Sequence, residues 1–163
     1  MAKASMASII PRFNTERMVR QYVEELYCPA AKQYRRLSSG DAATRLAAWK
    51  AHIASQWPDV GIERTDTPPD YMTHASHLTI ELRARLGALR PDDVRVECVV
   101  EQPNQPARSF QAIEVPSADV DGSTHFRIEF EPPFAGLQTY RIRIYPYHEL
   151  LSHPFEMGRM IWI

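Results

Sequence analysis

Three lysines, six histidines and two cysteines are the residues of this 163-residue chain best suited to covalent, proton-transfer or metal chemistry, and their spacing gives them little to work with. Lys3 precedes the first helix, and Lys32 and Lys50 fall on presumptive solvated helix faces. None stands in a glycine-rich or phosphate-cradling context. His74 and His77 lie three apart in a loop, and Asp66 and Asp70 could complete an oxygen-rich metal set, but no cysteine is near and such coincidences are common. His148, Glu149, His153 and Glu156 form a second loose cluster after a strand, in a loop fixed by Pro146 and Pro154, where structural hydrogen bonding is the favoured reading. Ser152, His153 and Asp121 assemble into a triad only on paper, because no nucleophile-elbow glycines flank Ser152. The expectation is no catalytic residue, no cofactor-binding residue and no metal ligand in this chain. Tyr71, Tyr145, Tyr147 and Trp162 could supply stacking faces for a sugar. Tyr145 and Trp162 alternate with core positions, so packing is the favoured reading for those two.

The elements that must position these residues change character near Pro58. Lys3 to Ile10 reads as a turn or two of helix broken at Pro11. Met18, Val19, Tyr22, Val23, Leu26 and Tyr27 then recur at spacings of three and four and share one helical face, with Arg17, Arg20, Gln21, Glu24 and Glu25 opposite. Asn14 is the expected N-cap, and Phe13 and Met18 stand where a hydrophobic staple forms. Pro29 either breaks this helix or opens a second one through Ala30, Tyr34 and Leu37. A third helix follows Asp41 with the stripe Leu46, Trp49, Ile53 and Trp57, and Pro58 stops it.

From Val60 the period falls to two. Leu78 to Leu86 and Val94 to Val100 alternate apolar with polar, the pattern of strands with one buried and one wet face. Arg108 to Val115, Phe126 to Phe130, Tyr140 to Ile144 and Gly158 to Ile163 continue in the same style, with Val60 to Arg64 as a possible first strand. Turn residues separate them, including Gly87, Pro91-Asp92-Asp93 and Pro132-Pro133 to Gly136. Thr65 to Ser76 is the longest irregular piece. Six or seven short strands at this spacing predict an antiparallel sandwich, and Tyr140 after Gly136 resembles a tyrosine corner. The predicted fold is α+β, segregated: N-terminal helices over 1–58, then an antiparallel immunoglobulin-like β-sandwich over 59–163.

Phe13, Asn14, Thr15, Glu16, Arg17, Val19 and Tyr22, preceded by Lys3 to Met6, resemble the C-terminal helix of the glycogen/starch/α-glucan phosphorylases. The form Arg17 to Glu24 is similar to the prokaryotic branch in particular. Tyr140 to Pro146, with His153 to Glu156 after it, resembles the C-terminal extension of that branch. The resemblance touches both ends of the chain and includes no catalytic signature. It implies the non-catalytic tail of a larger enzyme that cleaves an α-1,4-glucan with phosphate to give glucose 1-phosphate. It also implies pyridoxal phosphate, bound in the parent to a lysine upstream of residue 1. The helix at Arg17 would brace the two lobes of that parent, and its catalytic lobes would be the principal partner. The alternative is an independent sandwich module that binds glucan through Tyr71, Tyr145 or Tyr147, or binds a protein.

A net charge of −1 offers no nucleic-acid footprint and no polybasic membrane patch. No apolar run approaches the roughly 20 residues that span a bilayer, and the first residues lack a signal-peptide core. The expectation is a soluble cytoplasmic protein whose Cys28 and Cys98 are reduced and mostly buried thiols. If the stripe on the first long helix docks on missing lobes, the isolated chain should self-associate.

Overall fold

The computed structural model describes residues 2–69, 71–72, 76–116 and 122–163. The chain divides into two compact units, 1–47 and 48–163.

The first unit is helical. α1 (Ala2–Ile9) ends before Pro11, and α2 (Thr15–Tyr22) begins after Asn14, whose side chain accepts the Arg17 N–H at 2.7 Å as expected of an N-cap. Phe13 and Met18 remain 73% and 41% exposed, so the staple buries little, and the Arg17 guanidinium lies 6.0 Å over the Phe13 ring. Pro29 does not break the helix. α2 passes through a π turn, Val23–Tyr27, into α3 (Cys28–Leu37), with Pro29 in the first turn of α3. The Cys28 N–H reaches back five residues to the Val23 carbonyl. That wider turn accommodates a proline, which has no N–H to donate and whose ring would crowd a carbonyl four residues back. Ion pairs and amide bonds at i,i+4 (Arg20 to Glu16 at 3.1 Å, Arg17 to Gln21 at 3.1 Å, Gln21 to Glu25 at 3.1 Å) line the polar face. No residue of α2, the π turn or α3 is buried.

α4 (Ala42–Gln56) lies across the division. Its stripe behaves as the spacing predicts: Leu46, Ile53 and Trp57 are buried and Trp49 partly so. A 3-10 turn, Trp57–Asp59, ends it at Pro58.

In the second unit β1 (Gly61–Arg64), β2 (Leu78–Arg85), β6 (Thr124–Phe130) and β5 (Ile113–Val115) form one antiparallel sheet in the order β1-β2-β6-β5. β4 (Arg108–Gln111), β3 (Val94–Glu101), β7 (Thr139–Pro146) and β8 (Ile161–Trp162) form the other in the order β4-β3-β7-β8. Register is set by the apolar positions: Ile80 faces Ile128 across one sheet, and Cys98 faces Ile142 across the other. Ile53 and Trp57 of α4 join these strands in one core, and Phe110 stacks on Phe130 between the sheets at 4.1 Å.

Three expectations are corrected. Arg108 to Val115 is not one strand, because β4 and β5 belong to different sheets and the chain crosses over at Ala112. β3 is not half wet: Glu97 and Val99 on its outer face are buried as well. The final strand is only two residues long.

Candidate functional site

Three carboxylates organise the sandwich and its helix. Asp66 accepts a two-pronged bond from Arg64, Nε to Oδ1 at 2.8 Å and Nη2 to Oδ2 at 2.6 Å, and also receives the Glu81 N–H at 3.0 Å. The Arg64 hydrogen bonds hold its carboxyl below the usual carboxylate range against the opposing effect of burial. Asp66 raises the Arg64 guanidinium in return. Arg64 Nη1 also donates to the Tyr140 hydroxyl, so the phenol expected to bond back to its own loop instead meets β1 of the facing sheet. Asp93 takes the Trp49 indole N–H at 2.8 Å and the Arg90 N–H at 2.9 Å. Burial works to raise its pKa, but these bonds prevail and hold it low. Glu156 is held low chiefly by Lys50, and it caps the Ser152 N–H at 2.8 Å.

Lys50 is therefore not on a solvated face; it is paired with Glu156. Lys3 and Lys32 are exposed on helices. None of the three lines either cleft described below, so they do not fit a Schiff-base cofactor. His148 Nδ1 accepts the Leu150 N–H and His153 Nδ1 the Phe155 N–H, each at 3.1 Å, and the His148 ring lies 5.0 Å from Trp49. His74, Asp70 and Asp121 lie outside the described residues, and His77 pairs with Glu131 at 3.4 Å. Among the described residues no cluster of three His, Cys, Asp or Glu could hold a metal.

The three candidate tyrosines do not form one platform. Tyr145 is buried, 5% exposed, beside the ion pair of half-buried Arg143 with buried Glu97 and edge-on to Phe155 at 5.1 Å. Burial, and then the Glu97 charge, push its phenol up. The pattern of β7 conceals this, because Tyr145 is on the outer face and the segment 148–158 that contributes Phe155 is what approaches it. Trp162 is 40% exposed, with Arg141 and Arg143 4.8 and 5.1 Å from its ring. Cys98 is sealed in the core, its thiol pushed up to about 12 by burial, whereas Cys28 is exposed, contrary to expectation.

Tyr147 and Tyr71 belong to different clefts at opposite ends of the sandwich. The first, about 530 Å³, opens where β3 begins and β7 ends, among Arg90, Asp92, Arg95, Glu114, Tyr147 and Glu149. Arg95 covers the Tyr147 ring at 4.0 Å. The second, about 580 Å³, opens where β6 ends and β7 begins, among Tyr71, Met72, Phe134, Leu137, Gln138 and Tyr140. Tyr71 and Leu137 are 83% and 88% exposed. Sequence reasoning singled out Tyr71 but missed Phe134 and Leu137. Their signal was the apolar pair on either side of Ala135-Gly136, in and just after a turn where polar residues are the rule.

An uncovered apolar surface runs along the helices: Met18, Val19, Tyr22, Val23, Leu26, Tyr27 and Tyr34 are between 40% and 72% exposed. No helix among the described residues is long and apolar enough to cross a membrane.

Residues 57–163 match the family model described as the glycogen phosphorylase C-terminal domain. Over 97% of its length the chain is 32% identical to the glycogen phosphorylases of Mycobacterium bovis and Mycobacterium tuberculosis, and it covers 19% of each. Over 99% of its length it is 32% identical to the maltodextrin phosphorylase of Thermococcus litoralis, of which it covers 20%. The chain thus spans about one fifth of the length of the curated relatives it matches. A sandwich matched along its whole extent and a likeness that continues through the helices lead to one assignment: the chain belongs to the glycogen phosphorylase C-terminal domain family.

Proposed function

We propose that this chain is the structural, non-catalytic C-terminal part of a cytoplasmic α-1,4-glucan phosphorylase, an enzyme that releases glucose 1-phosphate from a glucan and phosphate. In this reading residues 1–58 belong with the catalytic lobes and brace them, and 59–163 form an immunoglobulin-like sandwich. The strand order supports that fold: β1-β2-β6-β5 against β4-β3-β7-β8 follows the ABED and CFG layout, with β4 added beside β3. Pyridoxal phosphate belongs to the parent's other lobes.

The observation that carries the reading is the uncovered stripe on α2, the π turn and α3. A helix with a solvated polar ladder on one face and seven exposed large apolar side chains on the other has been selected for a partner surface. A parent about five times longer offers that surface. The test is to express the preceding part of the parent polypeptide separately and add this chain in trans. The chain alone should release no glucose 1-phosphate from maltoheptaose and phosphate. Together the two should bind and release it, and a Tyr22→Ser/Leu26→Ser chain should fail to bind. Phosphorolysis by this chain alone, or full activity of the parent without it, would overturn the reading.

A further inference from the structure

The cleft at the end of the sandwich where β6 ends and β7 begins has the properties of a ligand site. We propose that it binds an α-1,4-glucan chain. The identity of the ligand rests on the proposed function; the site itself rests on geometry.

At about 580 Å³ the cleft lies within the size range of small-molecule sites. Its floor is apolar and fixed, because Met72, Phe134 and Tyr140 pack on the sandwich core. Its rim presents the Tyr71 ring and the Leu137 side chain almost fully to solvent. Exposed rings and a flat apolar floor suit the apolar C–H face of a pyranose. The tyrosine hydroxyl at such a ring's edge can meet sugar hydroxyls.

The lining is nearly uncharged. Among the described residues that line it, Glu131 is the one ionisable carboxylate, and it is paired with His77 at 3.4 Å. A phosphate, a nucleotide or an acidic peptide would find no cation among the described lining residues, whereas a neutral polyhydroxylated chain brings no charge to compensate.

The walls are also preorganised, which lowers the ordering cost of binding. Gln102 Nε2 donates to the Ala135 carbonyl at 2.8 Å, and Gln138 Nε2 donates to the Phe134 carbonyl, so two amides clamp the Phe134–Leu137 loop. Gly136, at φ +85°, supplies the turn between them, a conformation that other residues rarely adopt. Arg64 holds the Tyr140 hydroxyl from the other sheet. Gln138 Oε1 is buried with no hydrogen-bond partner among the described residues. Native interiors rarely leave such an atom unpaired, and a sugar hydroxyl entering the cleft supplies the missing donor.

Titration calorimetry of the full 163-residue chain with maltoheptaose tests the proposal. Saturable heat is expected, weakened about tenfold by Tyr71→Ala, a loss that one stacked ring accounts for. Leu137→Ser should weaken it less, and Tyr147→Ala at the other end of the sandwich should leave it unchanged. Because Tyr71 and Leu137 are exposed, neither change endangers folding, and unaltered thermal melting checks this. No saturable heat from a folded chain would overturn the proposal, as would binding that survives Tyr71→Ala. Loss through Tyr147→Ala alone would move the site to the other cleft and overturn it equally. Cellooligosaccharide heat equal to that of maltoheptaose would overturn the α-1,4 assignment. None of these outcomes touches the trans-complementation that tests the brace, so the two readings fail separately.

Discussion

Asp66, only a remote candidate for metal chemistry by its spacing, serves architecture. Beside Asp70, His74 and His77 it suggests a metal set, but the structure gives it Arg64, two positions earlier at the end of β1, and the Glu81 N–H of β2. The sequence displays Arg64 and Asp66 openly. What it hides is that β1 and β2 pair so as to bring a backbone donor to the same carboxylate. Its pKa is depressed in the folded chain, so the pair stabilises fully above the unfolded value of about 4 and the contribution is lost as pH falls through the folded value. Asp93 and Glu156 act in the same direction. Asp66→Asn should therefore cost about 2 kcal/mol at pH 7, the scale of hydrogen bonds to a charged group. The gap from the parent chain should close as melting is repeated below about pH 4; a gap independent of pH would refute the linkage. Trp49→Phe should cost about 1 kcal/mol in urea unfolding, since it removes one donor from Asp93 and keeps the ring.

Elements were more legible than partners. The α4 stripe and the β2 alternation follow directly from periodicity, because both elements present one face to a core and one to water. Ile53, fully buried, anchors α4 in that core, and Ile53→Ala should destabilise by about 3 kcal/mol in the same unfolding experiment. Periodicity failed where a second layer intervened. Glu97 looked solvent-facing, yet it is buried in a pair with Arg143, whose guanidinium in turn lies 4.6 Å over the Phe155 ring. The reading of one strand failed again at Ala112, where the apolar positions shift from Phe110 and Ala112 to Ile113 and Val115 and the chain changes sheet: the Ala112 N–H still bonds Val96 at 2.8 Å while Ile113 already pairs with Arg127. Pro29 was ambiguous for a physical reason, since a π turn removes the clash that normally ends a helix at proline.

At the scale of the molecule, one unit is a packed sandwich and the other a set of helices with its apolar face open. The isolated chain should self-associate, its sedimentation coefficient rising with concentration. Tyr22→Ser/Leu26→Ser should abolish that rise without lowering the melting temperature of the sandwich, because neither side chain is buried. A concentration-independent monomer would show that the stripe is closed within the chain. The candidate cleft was only partly legible: Tyr71 was visible as an aromatic, but Phe134 and Tyr140 of the floor beneath it lie more than sixty positions away.

The central strand pairs carry a consequence for time as well as for shape. Neither sheet is built on a central hairpin: Glu81 meets Arg127, and Glu97 meets Arg143, each across 46 residues of chain. Pairings this distant close slowly, in milliseconds to seconds, whereas local helices form in microseconds. The helical stripe is therefore complete and sticky long before the sandwich has found its register. During refolding at high concentration, the helices will encounter one another first, and yield should improve on dilution.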